Sequence, residues 1–432
     1  MSSDVTDSEL ADSDLTESDL TESGGADSGA DSDADSAPAL IRRAAGVVGE
    51  LDEQLVKIRR ELHQHPELSF QEEETTRRLV EWLREAGLEP QTLPETTGLY
   101  VDIGPDEAPF AAGFRGDIDA LPLDEVTDLP YASQNTGAAH ACGHDIHTTV
   151  MMGLALTLHR LHRETGLENR FRVIFQPAEE TMPGGAKEVV SQGLLAPLPR
   201  IFALHCDPKL TVGSIGTRIG AITSASDLVR IDVSGRGGHT SRPHLTEDVV
   251  GALGHLATTV PAVLARRIDV RSGVSLVWGT IRAGNAANAI PAAGTLAGTM
   301  RILDADAWKE AGGVLAPIVE QAANSYGVDV QLEHVRGVPP VINDETETAR
   351  VDTAAKEILG SGCLTLAEQS MGGEDFAWMT QEIPGSMFRL GTRTPDGPSF
   401  DLHRGDYAPD ERAIGVGVRV MAAVALRSRM NP

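Results

Sequence analysis

The eight residues His140-Ala141-Cys142-Gly143-His144-Asp145-Ile146-His147 set three imidazoles, a thiol and a carboxylate around one glycine. Metal-ligand types at this density are costly as plain packing, because each buried polar group needs a partner. Cys142 and His144 are two apart, so in an extended or turning segment both side chains point the same way. The competing reading is ordinary polar capping of the helix that follows. Other groups of the same kind close successive apolar runs: Asp117 and Asp119 after 109–114, Glu179 and Glu180 after 170–176, His205 within 201–206. His403 joins them near the end of the chain. The carboxyl ends of strands are where α/β sheets bind ligands. This donor set suits manganese, zinc, cobalt or nickel better than magnesium or calcium. It is too large for one tetrahedral ion. Two divalent transition-metal ions about 3.5–4 Å apart can share and activate a hydroxide. Neighbours at a strand end are expected to diverge, so one of Glu179 and Glu180 ligates while the other serves as general base. Cys142 has a rival role as a nucleophile paired with His144. Cys206 and Cys363 read as small buried hydrophobes.

The elements that must hold these groups are legible as periodicities. Leu51, Leu55, Ile58 and Leu62 recur at three and four, which predicts a helix from Ala39 to just before Pro66. A second helix is expected over 72–86. Strands are expected at 99–103, 109–114, 170–176 and 201–206, with a helix over 148–162. Strand, ligand, helix repeats three times, the pattern of an α/β sheet presenting side chains along one rim. After about residue 222 the order becomes β-α-β-β-α-β, with strands at 228–233, 274–281, 295–302 and 329–334 and helices at 247–266 and 305–326. That is a ferredoxin-like split unit, read as a domain inserted into the first. Residues 351–359, 388–391 and 413–427 complete the first domain. The expected division is 1–38, 39–222, 223–336 and 337–432.

At 432 residues, two domains are the default. Hydrophobic content of 41% and charged content of 23% fit a globular protein. Twelve acidic residues and no Lys or Arg fall in 1–38, which leaves −16 of the formal −28 on the rest. That segment has too little apolar matter to offset its ordering entropy, so a disordered acidic tail is expected. The acidic body argues against nucleic acid as a partner. No uninterrupted apolar run is long enough to cross a bilayer and no secretory pattern is visible, so no membrane partner is expected. Three cysteines make no disulfide framework, and a cytoplasmic location is expected.

Seven stretches, in order, resemble the amidohydrolase branch of the M20 metallopeptidase family, which holds hippurate hydrolases, N-acyl amino acid amidohydrolases and auxin-conjugate hydrolases. They begin at Arg60, Asp117, His140, Gln176, Gly237, Asn285 and Gly373, and the last reads Gly373-Glu374-Asp375-Phe376. The resemblance covers all but the acidic tail. It implies an α/β fold: a metal-dependent catalytic domain with an inserted lid and dimerisation domain. It implies metal ligation by Cys142, His144, Glu180, His205 and His403, with Glu179 as the base. Asp119 aligns with an aspartate that orients an active-site group. His239 corresponds to an oxyanion-stabilising histidine that in dimeric relatives reaches the neighbouring subunit's site. Asn288 and Arg301 sit where the substrate carboxylate is held; Arg301 as a surface strand residue is the competing reading. The reaction implied is hydrolysis of an N-acyl or N-aroyl amino acid by a homodimer. The alternatives are a peptidase acting on short peptides and a non-catalytic metal-binding scaffold. His403 is followed by Arg404-Gly405-Asp406-Tyr407 where the family has a proline-and-phenylalanine run.

Overall fold

The computed structural model describes residues 36–429. The expected acidic tail therefore lies, up to residue 35, outside the described residues. Its last two positions belong instead to the first helix, Ala37–Gln64. Pro38 is compatible with that start, because a proline in the first turn gives up only an N–H that has no intrahelical partner.

An eight-stranded mixed sheet organises the ligand-bearing residues. Its middle strands, Arg170–Gln176, Phe110–Asp117, Ile201–Thr211 and Gly385–Arg393, lie side by side and parallel. Parallel strands are covered on both faces and read as near-continuous apolar runs. Phe110–Asp117 is buried at every position after the first. Side chains alternate between two layers. Phe202, Leu204 and Cys206 join the core beneath the helices Ala37–Gln64, His144–Thr165 and Arg412–Ser428, while Ile201 and Ala203 join a second cluster with Val189 and Met387. His205 and Arg389 follow the second set. The register sets them directly opposite each other, on the same face.

Residues 225–338 contribute a four-stranded antiparallel sheet in the order Ser275–Ala283, Ala293–Ile302, Ala225–Ser234, Asp329–Val338. Helices Val249–Arg267 and Ala305–Asn324 pack on it through Leu253, Leu256, Leu315 and Val319. Among the described residues, Val249–Arg267 is the helix long and apolar enough to cross a membrane by length and composition. Its Val249, Leu253, Leu256, Val260 and Leu264 are spent on this sheet's core.

Candidate metal centre

The ligand loop is held by one backbone position. Gly143 caps the helix His144–Thr165 with φ 88° and ψ 20°, the left-handed region. A Cβ there would sit 2.9 Å from Cys206 Sγ. The chain thus passes tight against the neighbouring strand and turns sharply between Cys142 and His144. The helix begins four residues before the predicted start. Its first turn, His144-Asp145-Ile146-His147, is polar in sequence yet wholly buried, because each of its three polar side chains meets a partner in the fold through at least one atom.

His144 is aimed by Asp119. Its Nδ1 donates to the Asp119 carbonyl at 2.9 Å and lies 3.1 Å from Oδ1. Asp119 Oδ2 accepts from Ser69 Oγ at 2.7 Å and from the Glu180 N–H at 2.9 Å. One carboxylate therefore sets both an imidazole and the backbone of a neighbouring acid. His144 Nε2 is left facing Asp117 Oδ2 at 3.8 Å, Glu180 Oε1 at 3.7 Å and Glu179 Oε2 at 3.9 Å. Burial would discharge this imidazole, but Asp117 and Asp119 outweigh it and push its pKa up to about 10. The pocket favours positive charge at that atom.

The two glutamates do not diverge as predicted. Ala178 takes φ 55°, and the turn brings both carboxylates within 4 Å of the same His144 nitrogen. The buried Glu72 accepts the Ala178 N–H at 2.8 Å and the Thr97 hydroxyl at 2.5 Å, which holds the turn. Burial, then Glu374 and Glu180, raise the Glu179 carboxyl well above its ordinary range. On the far side, His205 Nδ1 donates to the Cys206 carbonyl at 2.8 Å, leaving Nε2 3.5 Å from Cys142 Sγ. Burial, Arg389 and His147 keep His205 neutral, the form that ligates. Burial, Glu180 and Glu179 hold the Cys142 thiol protonated. His403, at φ 60°, closes the ring with Nε2 3.4 Å from Glu180 Oε1.

Three groups thus converge, each with ligand atoms within 4.8 Å of one another: Cys142, His144 and His205; Cys142, Glu180 and His403; His144, Glu179 and Glu180. His144 Nε2 and Glu180 Oε1 are both buried without a hydrogen-bond partner, although they face each other. Buried orphans of this kind carry a penalty that a shared cation removes. The donors fit divalent metal.

His147 is near the cluster but already committed. Its Nδ1 donates to Asp117 Oδ1 at 2.6 Å and its Nε2 accepts the Cys206 N–H at 2.8 Å. Asp117 also takes Arg115 Nη1 at 2.6 Å, and Arg115 reaches on to Glu374 at 3.1 Å and Asp375 at 2.7 Å. Sequence reasoning assigned no role to Arg115 or to the Glu374-Asp375 pair, although Arg115 lies two residues before Asp117 on one strand face.

A cleft of about 450 Å³ opens beside the cluster, lined by Cys142, Glu179, Glu180, His205, His403 and, from the four-stranded sheet, Arg301. His239 and Asn288 do not line it. His239 is exposed on a two-residue strand paired with Ala289–Ile290, and the Thr240 N–H donates to the Asn288 carbonyl at 3.2 Å. The two are neighbours, away from the cluster within this chain.

The sequence profile of peptidase family M20/M25/M40 matches residues 113–427, so the chain belongs to that family and is a hydrolase acting on amides. It is 36% identical over 375 residues to the N-acetylcysteine deacetylase of Bacillus subtilis (strain 168), covering 86% of this chain and 96% of that one. It is 45% identical over 376 residues to the putative glutamate–cysteine ligase 2-3 of Rhodococcus jostii (strain RHA1), covering 87% of this chain. The match takes in 47% of that protein, so the chain corresponds to about half of that relative. Among solved structures it resembles a Bacillus subtilis M20-family peptidase described as binding a dinuclear metal centre. There the TM-score is 0.77 at 32% identity, covering 89% of this chain and 100% of that one.

Proposed function

We propose that this chain hydrolyses the amide bond of N-acyl amino acids, releasing a carboxylic acid and an amino acid, with two divalent transition-metal ions. The observation that carries the reading is the convergence of Cys142, His144, Glu180, His205 and His403 around the unpartnered His144 Nε2 and Glu180 Oε1. When bound, such ions polarise the amide carbonyl and lower the pKa of a water.

The chain's own residues do the rest. Glu179, beside the ligands and raised in pKa, takes the proton of the attacking water and delivers it to the leaving amine nitrogen. Asp119 keeps His144 in the tautomer that turns Nε2 to the site. Arg301 pairs with the substrate carboxylate through its planar fork. The unit 223–336 serves as lid and dimerisation domain, inserted between catalytic stretches 39–222 and 337–432. Val250, Gly254, Thr258 and Ala262 form an exposed, charge-free stripe on the helix Val249–Arg267, which supports a homodimer. His239 and Asn288 then complete the site of the second copy, with His239 stabilising the oxyanion.

Metal analysis of the purified protein, paired with amino acid release from N-acyl amino acids and dipeptides, tests the reading. Glu179→Gln is expected to keep its metal and lose about a hundredfold to ten-thousandfold in turnover. Substantial residual turnover would remove Glu179 from the mechanism. Preference for dipeptides with a free amine would replace the acyl substrate.

A further inference from the structure

Arg389 presents a buried cation with nothing to hold it. It is 8% exposed and, among the described residues, its side chain makes no hydrogen bond and no ion pair. The other deeply buried arginines are all satisfied: Arg59 by Asp145, Arg115 by Asp117 and Asp375, Arg172 by Asp102, Arg200 by Glu347. An uncompensated buried charge is expensive and is retained where a ligand supplies the counter-charge.

The side chain lines the cleft beside Cys142 and His205, and the strand register sets it opposite His205. The nearby acidic groups are committed elsewhere. Glu374 and Asp375 pair with Arg115, Asp207 accepts the Lys209 N–H, and Cys142 and Glu179 belong to the metal centre. Loading that centre with divalent ions would add positive charge beside Arg389. Arg301, on the other wall of the same cleft, is half-buried, and its side chain is also without a hydrogen bond or ion pair among the described residues.

Resting on the hydrolase reading above, we propose that the substrate is dianionic: Arg301 takes the α-carboxylate and Arg389 takes a second carboxylate. That second group comes either from an acidic amino acid side chain or from a dicarboxylic acyl group. Both sources offer the same planar anion to a guanidinium fork.

The test uses the full chain loaded with manganese and two pairs of isosteres: N-acetylglutamate against N-acetylglutamine, and N-succinylalanine against N-butyrylalanine. One dianion is expected to exceed its neutral-ended isostere by about tenfold or more in kcat/KM, chiefly through KM. The pair that shows the gap names the source. Arg389→Met is expected to bring that ratio to about one, and Arg389→Lys, which keeps the charge without the fork, to retain part of it. Calorimetry with glutarate and butyrate stands apart from turnover: glutarate binds the wild type about tenfold more tightly than butyrate, and Arg389→Met abolishes the difference. Equal binding of the two, or a gap that survives Arg389→Met, overturns the proposal whatever the turnover. Glutarate selectivity without hydrolysis of any of the four amides would uphold the anion site and overturn the hydrolase reading.

Discussion

Replacing Gly143 with alanine probes how the loop Cys142–His144 is held. At φ 88° and ψ 20° a residue with a Cβ carries a left-handed penalty of about 1–2 kcal/mol. The added carbon would lie 2.9 Å from Cys206 Sγ, 3.1 Å from Cys206 Cβ and 3.4 Å from the Tyr407 ring. Tyr407 and Cys206 are themselves buried, so neither gives way freely. Overpacking of this kind costs about 1–3 kcal/mol. The two effects together predict a loss of roughly 2–5 kcal/mol. Because the strain falls between two proposed ligands, metal affinity should fall with stability. Denaturant unfolding of the metal-free and metal-loaded proteins, with elemental analysis of each, measures both. Cys206→Ala supplies the internal check, since it removes the nearest atom while leaving the backbone penalty. In a double-mutant cycle the pair should be more stable than the sum of the singles by about 1 kcal/mol. A Gly143→Ala protein with wild-type stability and full metal content would refute the reasoning. Strict additivity with Cys206→Ala would show that the clash is not the cause.

Two other perturbations follow from buried carboxylates. Burial would raise the Asp145 pKa, but Arg59 at 2.7 Å and His63 at 2.7 Å outweigh it and hold the group below the usual carboxylate range. A depressed folded pKa stabilises above the unfolded value of about 4, and that stability is lost as pH falls below it. Asp145→Asn, which leaves the buried Arg59 only Glu411 at 3.4 Å as a counter-charge, should cost about 3–5 kcal/mol near neutral pH and flatten the acid-side decline in urea titrations. Glu72 carries the opposite sign: burial, against the Thr97 hydrogen bond, raises its pKa to about 7. The folded state then holds the proton more tightly, so stability falls as pH rises from about 4.3 through 7. Glu72→Gln keeps an acceptor for the Ala178 N–H and should lessen that fall, read by unfolding midpoints across this range.

Much of the scaffold was legible because its cause is local. Leu99–Ile103 and Arg170–Gln176 have the predicted bounds, each a short apolar run closed by polar residues or a turn. The helix at Glu345–Leu359 starts six residues before its expected start at Val351, yet its signal was present. Asp344 caps the N–H of Glu347, the spacing of a capping box. The start at His144 was hidden for a different reason. A buried polar first turn looks like a loop until its partners Asp117, Asp119, His63 and Arg59 are known, and those come from two other segments.

Residue types and short spacings by themselves determined the kind of chemistry, since thiol, imidazole and carboxylate select a class of metal wherever they meet. They also determined which runs form strands and helices, since periodicity is a property of neighbours in the chain. Tertiary structure decided which of these groups meet. The parallel order of four strands brings Asp117, Glu179, Glu180 and His205 to one rim, and the left-handed turn at Ala178 aims both glutamates at one nitrogen. It also commits His147 to Asp117 and Cys206, keeps His239 and Asn288 off the cleft, and leaves Arg389 without a counter-charge. Convergence across 260 residues, as between Arg115 and Asp375, depends on strand order and register, which no local spacing encodes.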